Sequence, residues 1–279
     1  MPTHNTPDHT PVFRPSLLRE TAEIALTEIK RFIEPRLAAD FSLRRVAAPV
    51  YLPASAGLNG PGPAATFTLA GSNSPMEIVT GLDHWLRRQL DRYDIAPGFG
   101  VFTVMNALRP DIAESLTTSP HIAAWSWQQT LDNKTEANAR LLKNMATRLY
   151  EVFRDTEKMI LAKFPHMTAT LPDTLVTVTA SEVIAAIPAH NQARSEHDYV
   201  KRRSTQSAYL IVDDTPLDTP PRHARMLVWN QQANAPLELA EFTFYPPAAD
   251  APLPSAGANI WRDRLAMQIL HQQSILRPL

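Results

Sequence analysis

The chain has 279 residues, 44% hydrophobic and 20% charged, with a formal net charge of -1, enough to bury a substantial core and too balanced to suggest a surface for polyanions. It has no cysteine, which excludes disulfides, thiolate nucleophiles and cysteine-ligated metals. No apolar stretch approaches the length of a membrane span, so neither a membrane nor a nucleic acid is an expected partner, and a cytoplasmic location is expected.

Residues 1–15 (MPTHNTPDHTPVFRP) are polar, proline-rich and aperiodic, which predicts a disordered tail and not a signal peptide. Residues 16–279 read as one domain. From Ser16 the pattern turns helical, with Ile24, Leu26, Ile29, Phe32, Ile33 and Leu37 on one stripe and Pro35 as a kink or break. Arg45 to Leu52 reads as a strand and Ala54 to Ala65 as a flexible loop, whose glycines lack the spacing of a dinucleotide fingerprint. Thr66 to Ala70 is a candidate short strand. Met76 opens an amphipathic helix that leads through Gly98 and Gly100 into a strand, Val101 to Leu108. Arg109 ends that strand, Pro110-Asp111 reverses the chain, and a second strand carries Trp125 and Trp127. A long helix is expected from Gln128 to Phe164, its apolar side either core or dimer seam. Strands follow at Leu175–Thr179, Ala208–Val212, Arg225–Trp229 and Leu239–Tyr245, with helices at Ser181–Ile187 and Ile260–Gln273. Lys201-Arg202-Arg203 reads as a solvated turn. Strands joined mostly by turns, with helices grouped between them, predict an α+β fold: a mostly antiparallel sheet flanked by helices.

An arginine fixed at a strand end can grip a phosphate or carboxylate through two parallel hydrogen bonds, although Arg109 also fits an ordinary surface arginine after a hairpin. Nucleophile-elbow, zinc-protease and P-loop motifs are absent. His84 and His121 are candidates to enter a pocket, and His197-Asp198 to form a pair. Asp213-Asp214 either binds a cation or begins a turn with Thr215-Pro216.

GLDHWLRRQL, APGFGVFTVMNALRPD and the Trp125-Ser126-Trp127 pattern resemble the ammonia-dependent asparagine synthetase (aspartate–ammonia ligase) family, whose catalytic domain resembles class II aminoacyl-tRNA synthetases. The likeness begins near Phe41 and APVYLP and returns in ATLPDTLVTVTASEV, RMLVWNQQANAPLELAEF and, loosely, IWRDRLAMQIL. Gaps follow Tyr199 and lie at the C-terminus. The resemblance implies the synthetase-like fold, ATP and Mg2+, ammonia or an amine as acceptor, and a homodimer. It places Arg109 near the α-phosphate, Glu238 at the metal and nucleotide carboxylate with Glu241 nearby, and Arg264 at the terminal phosphates.

The substrate half departs from the family. Ala56 stands at the aspartate that grips the substrate amino group, Gly81 at a serine, Leu86 at a lysine, and Ala240 at another serine. Ala124 and Ser126 replace the glutamine and aspartate flanking the first tryptophan, and most of the long acidic loop is missing. His121 is a further candidate for the pocket. Trp261 stands at a glycine, where an indole could stack on adenine or fill its slot. The resemblance therefore implies a ligase for a small carboxylic acid other than L-aspartate, or a non-catalytic relative that serves as a binding or dimerisation partner.

Overall fold

The computed structural model describes residues 17–135, 139–187, 195–203, 207–214, 222–248 and 251–271. The expected tail, Thr215-Pro216 and Gln273 lie outside these residues. Chain order gives α1 (Arg19–Asp40), β1 (Leu43–Arg45), β2 (Tyr51–Pro53), β3 (Thr66–Thr68), β4 (Pro75–Ile78), α2 (Asp83–Arg92), β5 (Gly100–Leu108), β6 (His121–Thr130), α3 (Ala139–Lys163), β7 (Thr174–Thr179), α4 (Ala180–Ala185), α5 (Ser195–Arg203), β8 (Ser207–Val212), β9 (His223–Asn230), β10 (Ala235–Tyr245), β11 (Ser255–Trp261) and α6 (Arg262–Leu270). Eight strands form one sheet in the order β1-β5-β6-β11-β10-β9-β8-β7. The outer pairs β1–β5 and β7–β8 are parallel and the central pairs are antiparallel, as the α+β reading expects. A smaller sheet, β2-β4-β3, lies apart from it.

The two faces of the large sheet differ in chemistry. One carries Phe102, Trp125, Trp127, Phe242 and Ile260 into the main core, packed by α1, α3 and α6. The apolar stripe of α3 (Leu142, Met145, Leu149, Val152, Phe153, Ile160) is used in this core. The opposite face holds two smaller cores. One lies under α2 around Leu82, Leu86, Leu90 and Met105, and the other under α4 and α5 around Val183, Val200, Ile211 and Leu227. Between them the face is polar.

Several sequence expectations are corrected. Pro35 sits inside α1 without ending it. Burial of Ile29, Ile33 and Leu37 holds the helix across the lost hydrogen bond, and Ile24 faces outward while Ala22 and Ala25 pack. The strand expected over 45–52 is divided, β1 joining the large sheet and β2 the small one, with Pro49 between them. Residues 75–78 form β4, not the opening of the helix. Gln128–Thr130 complete β6, so the long helix starts later. Lys201-Arg202-Arg203 end a helix, α5. Ile260 and Trp261 belong to a strand the sequence reading missed, β11. The expected loop after Ala54 begins with a single 3-10 turn and is pinned by Asn59, which accepts from the Thr80 amide at 2.8 Å and donates to the Ile78 carbonyl at 3.0 Å.

Candidate active site

A cavity of about 400 Å³ opens on the polar face, lined among others by Gly81, Asp83, Arg109, His223, Glu241 and Trp261. Its shape depends on one irregularity. The β10–β9 register shifts between Glu238 and Ala240, so the alternation of β10 reverses there. Leu237 and Leu239 pack in the main core before the bulge; Ala240, Phe242 and Phe244 do so after it. Glu238, Glu241 and Thr243 consequently share the opposite, polar face, although the two glutamates are three positions apart.

Glu238 accepts a hydrogen bond from Trp261 Nε1 at 2.7 Å, and its other oxygen lies 4.0 Å from Arg225. Burial pushes the Glu238 carboxyl above its ordinary range, against the pull of Arg264 and the indole N–H. The Arg264 guanidinium carbon lies 5.3 Å from the centre of the Trp261 ring. Burial lowers the Arg264 pKa, and Glu238 and Glu241 oppose that shift; an arginine stays charged regardless. Trp261 thus separates Glu238 and Arg264 from the main cavity. Arg264 instead faces a narrow cleft lined with His121, Trp261 and Asp263.

Arg109 stands at the end of β5 and reaches the cavity, its guanidinium bonded twice to Asp111 at 2.9 and 2.8 Å. That bond raises the Arg109 pKa, and the arginine holds the Asp111 carboxyl below its usual range. Gly62 makes room for this pair: a Cβ there would sit 3.0 Å from the guanidinium. Across the cavity His223 Nδ1 lies 3.3 Å from Glu241, a contact that raises the His223 pKa.

Asp83, which sequence reasoning did not single out, stands on the cavity floor. Asn259 Nδ2 donates to both its oxygens at 3.1 Å, while Asn259 Oδ1 accepts from Ser126 Oγ at 2.7 Å. Burial raises the Asp83 pKa, and the charge of Glu241 adds to the shift. The usable signal was an acid at the first turn of α2 beside the tryptophan of GLDHW.

The remaining candidates divide. Gly81 lines the cavity against Gly60, where a Cβ at Gly81 would lie 3.0 Å from the Gly60 Cα. Ala56 and His84 line an adjoining hollow, and His84 also reaches the main cavity. Ser126 lies beneath the floor. Leu86 and Ala124 are buried in the core under α2 and Ala240 in the main core, so none of the three lines the cavity. His197 pairs with Asp198 at 3.2 Å and packs on Trp229, outside the cavity lining. Asp214 accepts from the Ser181 amide at the start of α4, a capping role. Among the described residues no group of three or more His, Asp or Glu side chains is placed to hold a metal, and no helix is long and apolar enough to cross a membrane.

The sheet with its flanking helices is that of a class II aminoacyl-tRNA synthetase catalytic fold. Asparaginyl-tRNA synthetase from Entamoeba histolytica superposes with a TM-score of 0.66 at 10% identity, covering 92% of this chain and 65% of that one. The Pyrococcus horikoshii enzyme, complexed with asparaginyl-adenylate, gives 0.68 at 9% identity, covering 92% and 66%. Within that fold the sequence is more specific. The family model described as aspartate-ammonia ligase matches residues 20–217, and the chain belongs to that family. Aspartate–ammonia ligases are 35% identical in Clostridium perfringens over 177 residues (61% of this chain, 52% of the relative). The figure is 32% in Fusobacterium nucleatum over 184 residues (64% and 55%). The chain spans a little over half the length of these relatives.

Proposed function

We propose that this protein is an ATP-dependent ligase that activates a small carboxylic acid other than L-aspartate as an acyl-adenylate and transfers the acyl group to ammonia or an amine. The observation that carries the reading is the bulge in β10, which aligns Glu238 and Glu241 on one face within electrostatic reach of the half-buried Arg264. A half-buried guanidinium beside a half-buried carboxylate costs more desolvation than an apolar pair would, and such an arrangement suits a site that must meet phosphate charge.

In this reading ATP supplies an electrophilic α-phosphorus with pyrophosphate as leaving group. Arg109 releases Asp111 and takes the oxyanions at the cavity mouth, offering the same fork it now presents to a carboxylate. Arg264 neutralises the phosphate side. Glu238 and Glu241 would offer carboxylate oxygens to Mg2+, which would neutralise phosphate charge there. The acid's carboxylate oxygen bonds to phosphorus as the bond to pyrophosphate breaks. The amine nitrogen then bonds to the acyl carbon as AMP leaves, its proton passing to solvent. The absence of polar side chains at Ala56 and Gly81 supports an acid other than aspartate.

One observation favours the second reading, a non-catalytic binding or dimerisation partner: the Trp261–Glu238 bond closes the way to Glu238 and Arg264. Under the ligase reading the indole swings out when nucleotide binds. Calorimetric titration of Mg-ATP, with Arg264→Ala as control, and acid-dependent ATP–pyrophosphate exchange across a panel of acids separate the two. Binding at about millimolar or tighter that disappears in the variant supports the ligase. No heat and no exchange leave the non-catalytic partner. A homodimer is part of either reading, measured by light scattering.

A further inference from the structure

Between α2 and the sheet runs a line of polar side chains where a packed layer would ordinarily be apolar. Alternation along β6 puts Ser126, Gln128 and Thr130 on this face, and the register sets them opposite Asn259, Gly257 and Ser255 of β11. All six are buried. Gln128 Nε2 and Oε1, Thr130 Oγ1 and Ser255 Oγ have no hydrogen-bond partner among the described residues. Gly257 creates the room for the Gln128 side chain, since a Cβ there would lie 2.7 Å from Gln128 Nε2. At one end Thr130 and Ser255 line a second cavity of about 130 Å³, with Leu90, Asp91 and Asp94 in its wall. At the other end Ser126 and Asn259 lead by hydrogen bonds to Asp83 on the floor of the main cavity.

Buried donors and acceptors kept without protein partners favour a guest that can both donate and accept. The successive groups on β6 are about 7 Å apart, a spacing that one water-sized molecule bridges between neighbours. Asp91 and Asp94 are exposed, and their carboxylates draw small cations to the outer cavity. We propose that this seam conducts ammonia from the outer cavity to the acyl group in the main one. The inference rests on the ligase reading and names the route of its nucleophile. Ammonium gathers at Asp91 and Asp94, leaves its proton to solvent at the mouth, and neutral ammonia passes inward over Thr130, Ser255, Gln128 and Ser126.

The test compares the wild type with Gln128→Met and Thr130→Val, variants close in size that remove the seam's hydrogen-bonding groups. Replacing an unpartnered polar group with an apolar one of similar shape leaves the fold intact, and two variants guard against one that misfolds. The result expected is a KM for ammonia raised about tenfold or more in each, with acid-dependent pyrophosphate exchange and the KM for ATP unchanged. A merely structural role would move all of these together. Unchanged ammonia KM with exchange intact overturns the seam and leaves the ligase standing. No exchange in the wild type with any acid overturns both.

Discussion

Trp261 Nε1 is the hydrogen-bond donor nearest the half-buried Glu238 carboxylate, so Trp261→Phe leaves an oxygen there without it. The expected cost is about 1–3 kcal/mol in urea unfolding. Under the ligase reading the same variant binds Mg-ATP more tightly, because the aperture it guards is easier to open. Stability and affinity then move in opposite directions, whereas an indole that only packs would lower both. His223 gives a pH prediction. Its folded pKa is raised by Glu241, so its contribution to stability is complete below the ordinary histidine pKa and is lost as pH rises through the raised value. The melting temperature should therefore fall from about pH 6.5 upward, and Glu241→Gln should flatten that limb. At this scale the sequence was partly legible. Arg109, Glu241 and Trp261 reach the cavity, because motif position tracks strand position. Leu86, Ala124 and Ala240 do not, because a residue's alignment with a family motif says nothing about which way its side chain faces.

Among the elements, β11 was the least visible. SAGAN has small and polar residues and no β-branched run, so its strand character comes from the neighbours that flank it on both sides. The same smallness is required by packing. A Cβ on Gly257 would fall 1.9 Å from the Trp127 carbonyl oxygen, so Gly257→Ala should destabilise the protein by about 1–3 kcal/mol or more, seen as a lower melting temperature or loss of soluble protein. The strands at 101–108, 175–179, 208–212, 225–229 and 239–245 were readable from their apolar, β-branched composition. α5 was not, since SEHDYVKRR shows only Tyr199 and Val200 to the core and reads as charged loop. The bulge in β10 was invisible as well: a break in strand parity leaves no compositional mark. Deleting Leu239 should restore strict alternation and leave Glu241 and Thr243 on the polar face, with soluble protein as the expected result on expression.

For the molecule as a whole, the proposed site draws on β5, β6, β9, β10, β11 and the first turn of α2, so ligands that bind it should brace the entire fold. Saturating Mg-ATP with the correct acid should raise the melting temperature of the wild type, by about 2.7 kcal/mol of added stability at a hundredfold excess over Kd, and leave Arg264→Ala unmoved. The sheet order carries a further consequence, for how the chain folds. β5 and β6 form a hairpin, and β9, β10 and β11 a meander, each from neighbouring segments. Among the described residues, strand pairing joins the two along β6 and β11, whose paired residues, Thr130 and Ser255 among them, lie far apart in the sequence. Such distant pairing closes late because its loop must be ordered first. Ser126 meets Asn259, and Trp261 meets Ala124, across that join. In pulse-labelled hydrogen exchange during refolding, the amides of β5 and those shared by β9 and β10 should gain protection before those bridging β6 and β11. A nascent or partly unfolded chain would then hold both halves of the cavity wall and have no cavity, making the site a product of the last folding step.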